Sequence, residues 1–176
     1  AKALIRQAPC PVEIVRRSEW RKDKDPGKRI LLATDGSEAS ELAARSIASR
    51  PWSKGTQVRV FSAVELSIST LQALEPPMVH SQAVEEMRVQ ALLSAEAAIG
   101  RAREILESAD VTVSEALSVL FEKPAKVIID EARDWGTDMI VVGSHGRRGW
   151  SRLWLGSVCE AVAMHAKCCV EVVRQT

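Results

Sequence analysis

No run of apolar residues in this 176-residue sequence approaches the roughly 20 needed to cross a bilayer, and the opening Ala-Lys-Ala-Leu-Ile-Arg lacks a signal peptide's long apolar core. A soluble, cytoplasmic protein without a membrane partner is expected. Excess charge is missing too. The 24 Lys and Arg nearly cancel the 23 Asp and Glu, leaving +1, so no global field favours nucleic acid or an anionic membrane. The four cysteines, Cys10, Cys159, Cys168 and Cys169, form no CxxC and no His-containing set at zinc spacing. Cys168 and Cys169 are adjacent on what reads as a strand, so their side chains should face opposite ways, and buried packing of reduced thiols is expected. Two phosphate-binding signatures are also absent: no Gly-Lys-Ser/Thr closes a Walker loop, and no GxGxxG follows a strand.

What is present is a different glycine pattern: Gly143-Ser-His-Gly146, nine residues, then Gly156-Ser157. The approach, Asp138-Met-Ile-Val-Val142, is a short β-branched run that reads as a buried parallel strand. Gly143 and Gly146 permit a positive φ or a close ligand approach. At the far end, apolar residues at helical spacing follow Ser157, making it a candidate N-cap with Glu160 completing a capping box. The free amides and positive dipole end of such a helix suit phosphate. Glycines that serve only the turns are the alternative.

Elsewhere, residues 29–34 read as a strand, and Asp35-Gly36-Ser37 turns into a helix over 38–49 with Ser37 as cap. Residues 57–64 form a second strand, 66–81 a long loop containing Pro76-Pro77, and 82–108 a long amphipathic helix weakened by Gly100. A strand over 111–119 follows, then a helix from Pro124 to Trp135 ended by Gly136, the glycine-loop strand, the Ser157 helix and a last strand over 168–173. This strict alternation specifies an α/β fold. The expectation is an open, doubly wound, five-stranded parallel sheet with helices on both faces and a ligand crevice beyond the strand carboxyl ends. If the first and fourth strands of that sheet are neighbours, Asp35 faces the glycine loop. A carboxylate there would repel an adjacent phosphate, so it either accepts hydrogen bonds from a base or sugar or only caps its helix.

These stretches, Arg29-Ile-Leu-Leu-Ala-Thr-Asp-Gly-Ser37, Thr137-Asp-Met-Ile-Val-Val-Gly-Ser-His-Gly146 with Arg147, Arg148 and Gly149, and Leu155-Gly-Ser-Val-Cys-Glu-Ala-Val162, resemble the universal stress protein family from about residue 28 to 174. The family's Gly-x2-Gly-x9-Gly-Ser/Thr pattern is met in full. The resemblance implies a Rossmann-like, nucleotide-binding α-hydrolase-like fold, commonly dimeric, and places the chain with the ATP binders. It implies that Asp35 contacts the adenosine portion, that Ala33 and Thr34 line the base pocket, and that Ala63 meets adenine through its main chain. It also implies that Gly143, Gly146, Gly156 and Ser157 hold the phosphates with the Val158 amide. The cofactor implied is ATP, or ADP or AMP, in a setting where Mg commonly accompanies it. Trp150 and Trp154 depart from the family's smaller residues. Arg147, Arg148 and Arg152 either neutralise phosphates or stay solvated. His145 has no carboxylate or nucleophile partner, so no catalytic residue is named.

The first 27 residues carry a second signal. Cys10-Pro-Val-Glu-Ile-Val-Arg16 matches Cys168-Cys-Val-Glu-Val-Val-Arg174 at five of seven positions, and Ala3 and Ala8 match Ala161 and Ala166 at the same offset of 158. This reads as a tandem duplication: residues 1–27 as the remnant of a preceding domain plus linker, and 28–176 as the family domain. Residues 10–16 are then expected to order against 169–174, because an unpaired sheet edge is a liability. The partners expected are an adenine nucleotide, a twin in a homodimer or a tandem domain meeting through the last strand, and a downstream protein. Three functions fit: a nucleotide-responsive module in stress physiology, a slow ATPase or phosphotransfer enzyme, or a nucleotide-free dimerisation domain.

Overall fold

The computed structural model describes residues 2–21, 27–65, 80–120, 122–146 and 155–174. Strands β1 (Val12–Ile14), β2 (Arg29–Ala33), β3 (Gln57–Glu65), β4 (Thr112–Leu120), β5 (Met139–Gly143) and β6 (Cys169–Val173) make one sheet in the order β1-β6-β5-β2-β3-β4. Helices α1 (Lys2–Gln7), α2 (Glu38–Ala48), α3 (His80–Leu106), α4 (Pro124–Trp135) and α5 (Ser157–His165) connect or flank them. The α/β, doubly wound architecture is the one expected. The strand count is not: six strands replace five, because β1 joins the edge antiparallel to β6 while all other pairs are parallel. The α3 boundaries also differ slightly from the expected 82–108, and most of the expected 66–81 loop lies outside the described residues.

The parallel strands are apolar on both sides because both faces are covered. Period-two alternation sends Leu31, Phe61, Ile140, Val170 and Val172 to one face, against Ile128, Ala132, Cys159 and Val162 of α4 and α5. Ile30, Leu32, Val58, Val60 and Val141 go to the other, against Ala43, Ala44 and Ile47 of α2 and Ile99, Ala102 and Leu106 of α3. Helix ends follow local chemistry. Ser37 caps α2, its side chain accepting the Ser40 N–H at 3.3 Å, and Gly136 ends α4 at φ 71°, where a side chain would be strained.

Part of the expected linker is docked rather than loose. Ser18 Oγ donates to the Thr137 carbonyl at 2.8 Å, the Glu19 N–H donates to the Lys167 carbonyl at 3.1 Å, and Arg21 pairs with Asp138. These contacts lie at the amino ends of β5 and β6, opposite the end where the glycine loop opens. Cys168 is a buried free thiol, as the packing reading expected, whereas Cys169 is half-buried; Cys159 is buried too.

Candidate functional site

The strand order puts β2 beside β5, with successive connections leaving β2 toward β3 and β5 toward β6. The sheet therefore splits its connections between β2 and β5, and a crevice opens past their carboxyl ends. Into it run Thr34-Asp35-Gly36-Ser37 from β2 and Ser144-His145-Gly146 from β5. Asp35 and the glycine loop thus meet as the neighbouring-strand reading required: a Cβ built on Gly146 would lie 2.5 Å from Asp35 Oδ2. The other carboxylate oxygen, Oδ1, accepts the Ser37 N–H at 3.0 Å. Asp35 therefore does brace the start of α2, and it also walls the loop.

The glycines differ in what they permit. Neither Gly143 nor Gly146 has a positive φ; among the described residues only Gly36, Gly55 and Gly136 do. A Cβ on Gly143 would fall 2.6 Å from the Ala39 carbonyl carbon, so this glycine lets α2 lie against the end of β5. Gly156 comes close to the other arm of the loop, with its would-be Cβ 3.1 Å from His145 Cα, and its N–H donates to the Ser144 carbonyl at 2.7 Å. That bond ties the far end of the glycine pattern to its near end.

Gly156, at φ −64° and ψ 145°, is the N-cap of α5, without a side-chain cap bond. This corrects the expected Ser157 cap and its capping box. Ser157 is the first helical residue, and the Glu160 carboxylate instead pairs with Arg6 of α1 at 2.7 Å. The Glu160 N–H takes the Gly156 carbonyl at 2.9 Å, so the amides of Ser157, Val158 and Cys159 have no acceptor within their own helix. They form the positive end of α5, beside the Ser144–Gly146 loop.

On the opposite side, Thr34 N–H donates to the Phe61 carbonyl at 2.9 Å and ends the β2–β3 ladder. Ala63, two residues on, presents its backbone N–H and C=O on the same side as Phe61, past the end of that ladder. Ala33 is half-buried, and Thr34 is buried, with its hydroxyl 3.1 Å from Ser40 Oγ and accepting the Gly36 N–H at 3.2 Å. Ser37 Oγ reaches the His145 carbonyl at 3.5 Å and so bridges the two loops. His145 Nδ1 is 3.0 Å from Ser144 Oγ.

The nine expected site residues therefore sit at or near the carboxyl ends of β2, β3 and β5 or at the start of α5. Sequence reasoning missed Ser40 and Arg101. Arg101 reaches from α3 to the Gly36 carbonyl at 3.2 Å and to Glu41 at 3.0 Å, a contact across 65 positions that no local pattern announces. Arg147, Arg148, Trp150, Arg152 and Trp154 lie outside the described residues. Among the described residues no group of three or more His, Cys, Asp or Glu is placed to hold a metal ion, and no helix is long and apolar enough to cross a membrane.

Residues 27–174 match the model of the universal stress protein family. The chain is similar to universal stress protein Rv2005c of Mycobacterium tuberculosis, 29% identical over 176 residues, which is 100% of this chain and 55% of that protein. It spans about half the length of the first curated relatives it matches. Universal stress protein UspA from Lactobacillus plantarum shares the fold, with a TM-score of 0.64 at 21% identity over 84% of this chain and 97% of that one. So does the universal stress protein from Archaeoglobus fulgidus in complex with dAMP, with a TM-score of 0.56 at 19% identity over 84% and 98%.

Proposed function

Because the chain belongs to the universal stress protein family, we propose that it binds an adenine nucleotide, ATP first among them, in the crevice between β2 and β5 and acts as a regulatory or signalling module in the stress response. The observation that carries this reading is a pair of backbone edges, at opposite sides of one crevice, that lie beyond the pairing of their own helix or ladder. The first-turn amides of α5 suit phosphate, and the Ala63 N–H and C=O suit the edge of a purine. The dAMP held by the structural neighbour from Archaeoglobus fulgidus supports an adenine nucleotide as the ligand class.

In this reading Asp35 takes the ribose hydroxyls, Ala33 and Thr34 flank the base, and Ala63 meets adenine through its main chain. Gly146, Gly156, Ser157 and the Val158 amide hold the phosphates, and Gly143 seats the loop by admitting α2. Mg arriving with ATP would be held chiefly by the nucleotide and would neutralise phosphate charge, since no group of three or more His, Cys, Asp or Glu among the described residues is placed to hold it. The setting is cytoplasmic, and residues 1–27 are the end of a preceding domain of the same family that pairs through the last strand of this one. A downstream protein reads the occupancy.

The test is chromatography with mass detection of what is released when the freshly purified protein is denatured, with Ser157→Pro in parallel. Proline is tolerated in the first helical turn, and Gly156 already has the extended backbone that a following proline demands. The variant therefore folds but lacks one phosphate donor. Near-stoichiometric adenine nucleotide is expected, with affinity in Ser157→Pro reduced on the order of tenfold to a hundredfold, the worth of a charge-assisted hydrogen bond. An ADP to ATP ratio that climbs with time would move the protein to the slow-ATPase class. No bound nucleotide and no heat on adding Mg-ATP would refute the binding reading.

A further inference from the structure

Helix α1 touches the start of α5 with two kinds of contact. The buried part is apolar: Ile5 and Ala8 are buried, and Ile5 shares one core cluster with Cys159, Val162 and Ala163 of α5. The polar part is an ion pair. Arg6 Nη2 donates to Glu160 Oε2 at 2.7 Å, and Glu160 stands in the first turn of α5, one residue beyond the three amides that have no acceptor in their own helix. The end of α1 is held by Arg174, whose Nη1 donates to the Ala8 carbonyl at 3.3 Å. Arg174 directly follows β6 and is near enough to that same first turn to act on Cys159: burial pushes this thiol up, and the Arg174 charge opposes the rise.

A carboxylate in the first turn of a helix has two effects of opposite sign. Without a bound anion it is favourable, because the positive end of the helix attracts it. With a phosphate at the same end, two anions compete for one set of amides. Glu160 is placed to compete. Side chains of a helix lie over the turn on its N-terminal side, and the Glu160 side chain is only 21% exposed, so water screens its charge incompletely. Arg6 changes this balance in two ways. The pair as a whole is neutral, and the hydrogen bond draws the carboxylate toward α1.

We propose that Arg6 is a positioning residue for phosphate: it holds the Glu160 carboxylate against α1 and away from the Ser157, Val158 and Cys159 amides, so that docking of α1 and binding of a polyphosphate strengthen each other. This rests on the adenine-nucleotide reading above and adds the regulation of that site. Helix α1 suits the part. Its six residues are too few to persist as a helix alone, and with Leu4 63% exposed its hold on the domain comes from Ile5, Ala8, Arg6 and the Arg174 bond. It is therefore either docked or loose. Whatever lifts α1 removes Arg6 and weakens the nucleotide, and by linkage the nucleotide tightens α1 by the same factor. Occupancy of the crevice is thus written onto residues 2–8, at the surface of the domain.

The experiment is titration calorimetry at low salt with ATP, and with adenosine by displacement of ATP, on the parent chain, Arg6→Ala, Arg6→Lys, Glu160→Gln and the double variant Arg6→Ala with Glu160→Gln. Arg6 is 47% exposed, so its loss leaves the domain folded. Arg6→Ala is expected to weaken ATP roughly threefold to tenfold, the effect of one unit charge a helical turn away, and to leave adenosine, which carries no phosphate, unchanged. Arg6→Lys should keep most of the affinity, and high salt should erase the difference. Glu160→Gln should bind ATP at least as tightly as the parent, and removing Arg6 from that background should cost nothing further. Backbone hydrogen exchange of residues 2–8 should slow in ATP by the same factor and not in adenosine. Parent affinity for ATP in Arg6→Ala would overturn the inference and leave the nucleotide reading standing. An equal loss for ATP and adenosine, or a loss that persists in the Glu160→Gln background, would make α1 merely structural and overturn it as well. A parent chain that binds neither ATP nor adenosine would refute the nucleotide reading and the inference with it.

Discussion

Gly143→Ala and Gly146→Ala, three residues apart in one motif, are expected to fail in different ways. At Gly143 the new methyl would sit 2.6 Å from the Ala39 carbonyl carbon and 2.8 Å from its oxygen, both backbone atoms of α2. That helix cannot swing away cheaply: Ala39, Ala43, Ala44 and Ile47 are buried and Ser37 pins its start. Overpacking of this sort costs about 1–3 kcal/mol, and alanine returns about 0.4–1 kcal/mol by restricting the unfolded chain. The net loss is about 1–2 kcal/mol, or a Tm lower by roughly 2–8 °C at this chain length. At Gly146 the methyl meets, among the described residues, only the Asp35 carboxylate, the end of a side chain, with Oδ2 at 2.5 Å. Asp35 can turn away by giving up bonds that include its half-buried one to the Ser37 N–H, worth about 0.5–1.5 kcal/mol, a smaller stability cost that runs through Asp35 while the carboxylate leaves its place. Urea unfolding and nucleotide calorimetry separate the two. Gly143→Ala should lose stability with little change in nucleotide affinity per folded molecule, and Gly146→Ala the reverse. Asp35→Ala should cancel the stability cost of Gly146→Ala and leave that of Gly143→Ala intact. An unfolding midpoint for Gly143→Ala equal to the parent's, or a Gly146→Ala penalty unchanged without Asp35, would refute this division of roles.

Three further outcomes follow from the same structure. Ser37→Ala removes the α2 cap and should cost about 1 kcal/mol in chemical unfolding, with Ser37→Asp recovering most of it. Arg50→Ala strands the buried Glu171 carboxylate with Ser46 as its remaining described partner; because Arg50 is partly solvated, the expected loss is about 2 kcal/mol, and adding Glu171→Gln should recover part of it. Burial pushes the Cys159 and Cys168 thiols up to about 12. The folded state therefore keeps protons that the unfolded chain releases near pH 8.5, so stability is complete below that pH and falls as pH rises toward 12. Between pH 8 and 10 each thiol should account for about 1–2 kcal/mol of that fall, and Cys168→Ala should flatten the profile measured by urea unfolding.

The sheet was legible because a parallel strand covered on both faces must be apolar throughout, and residues 29–34 and 138–142 announce themselves that way. Strand order was not written in any one segment, yet the position of the crevice followed once β2 and β5 were taken as neighbours. The extra strand was legible only through repetition: Val12–Ile14 is too short to stand out by composition, but it copies β6 and pairs with it. The α5 cap misled because Ser-x-x-Glu reads alike whether the serine precedes the helix or begins it. In the structure the Glu160 carboxylate pairs with Arg6, 154 positions away. Arg101 escaped for the same reason, since sequence periodicity on a long helix shows which face is solvated but not which distant carbonyl a solvated arginine will reach.

In the sequence the three glycines of the motif look equivalent, and only packing tells them apart. Gly143 answers to α2, Gly146 to Asp35, and Gly156 to the loop it closes with its own N–H. One of these requirements belongs to the fold and would persist in a relative that had stopped binding nucleotide. The other two concern the shape of the space in front of the α5 amides. A chain that kept the first glycine and replaced the last would therefore still fold around β5 and α2, yet its new Cβ would press to 3.1 Å on His145 Cα and 3.3 Å on the Ser144 carbonyl oxygen, so the start of α5 and the loop would have to shift apart. It follows that a glycine at the end of β5 is weak evidence for a ligand. The informative residue is Gly156, whose extended backbone and bond to Ser144 bring the start of α5 back to the end of β5.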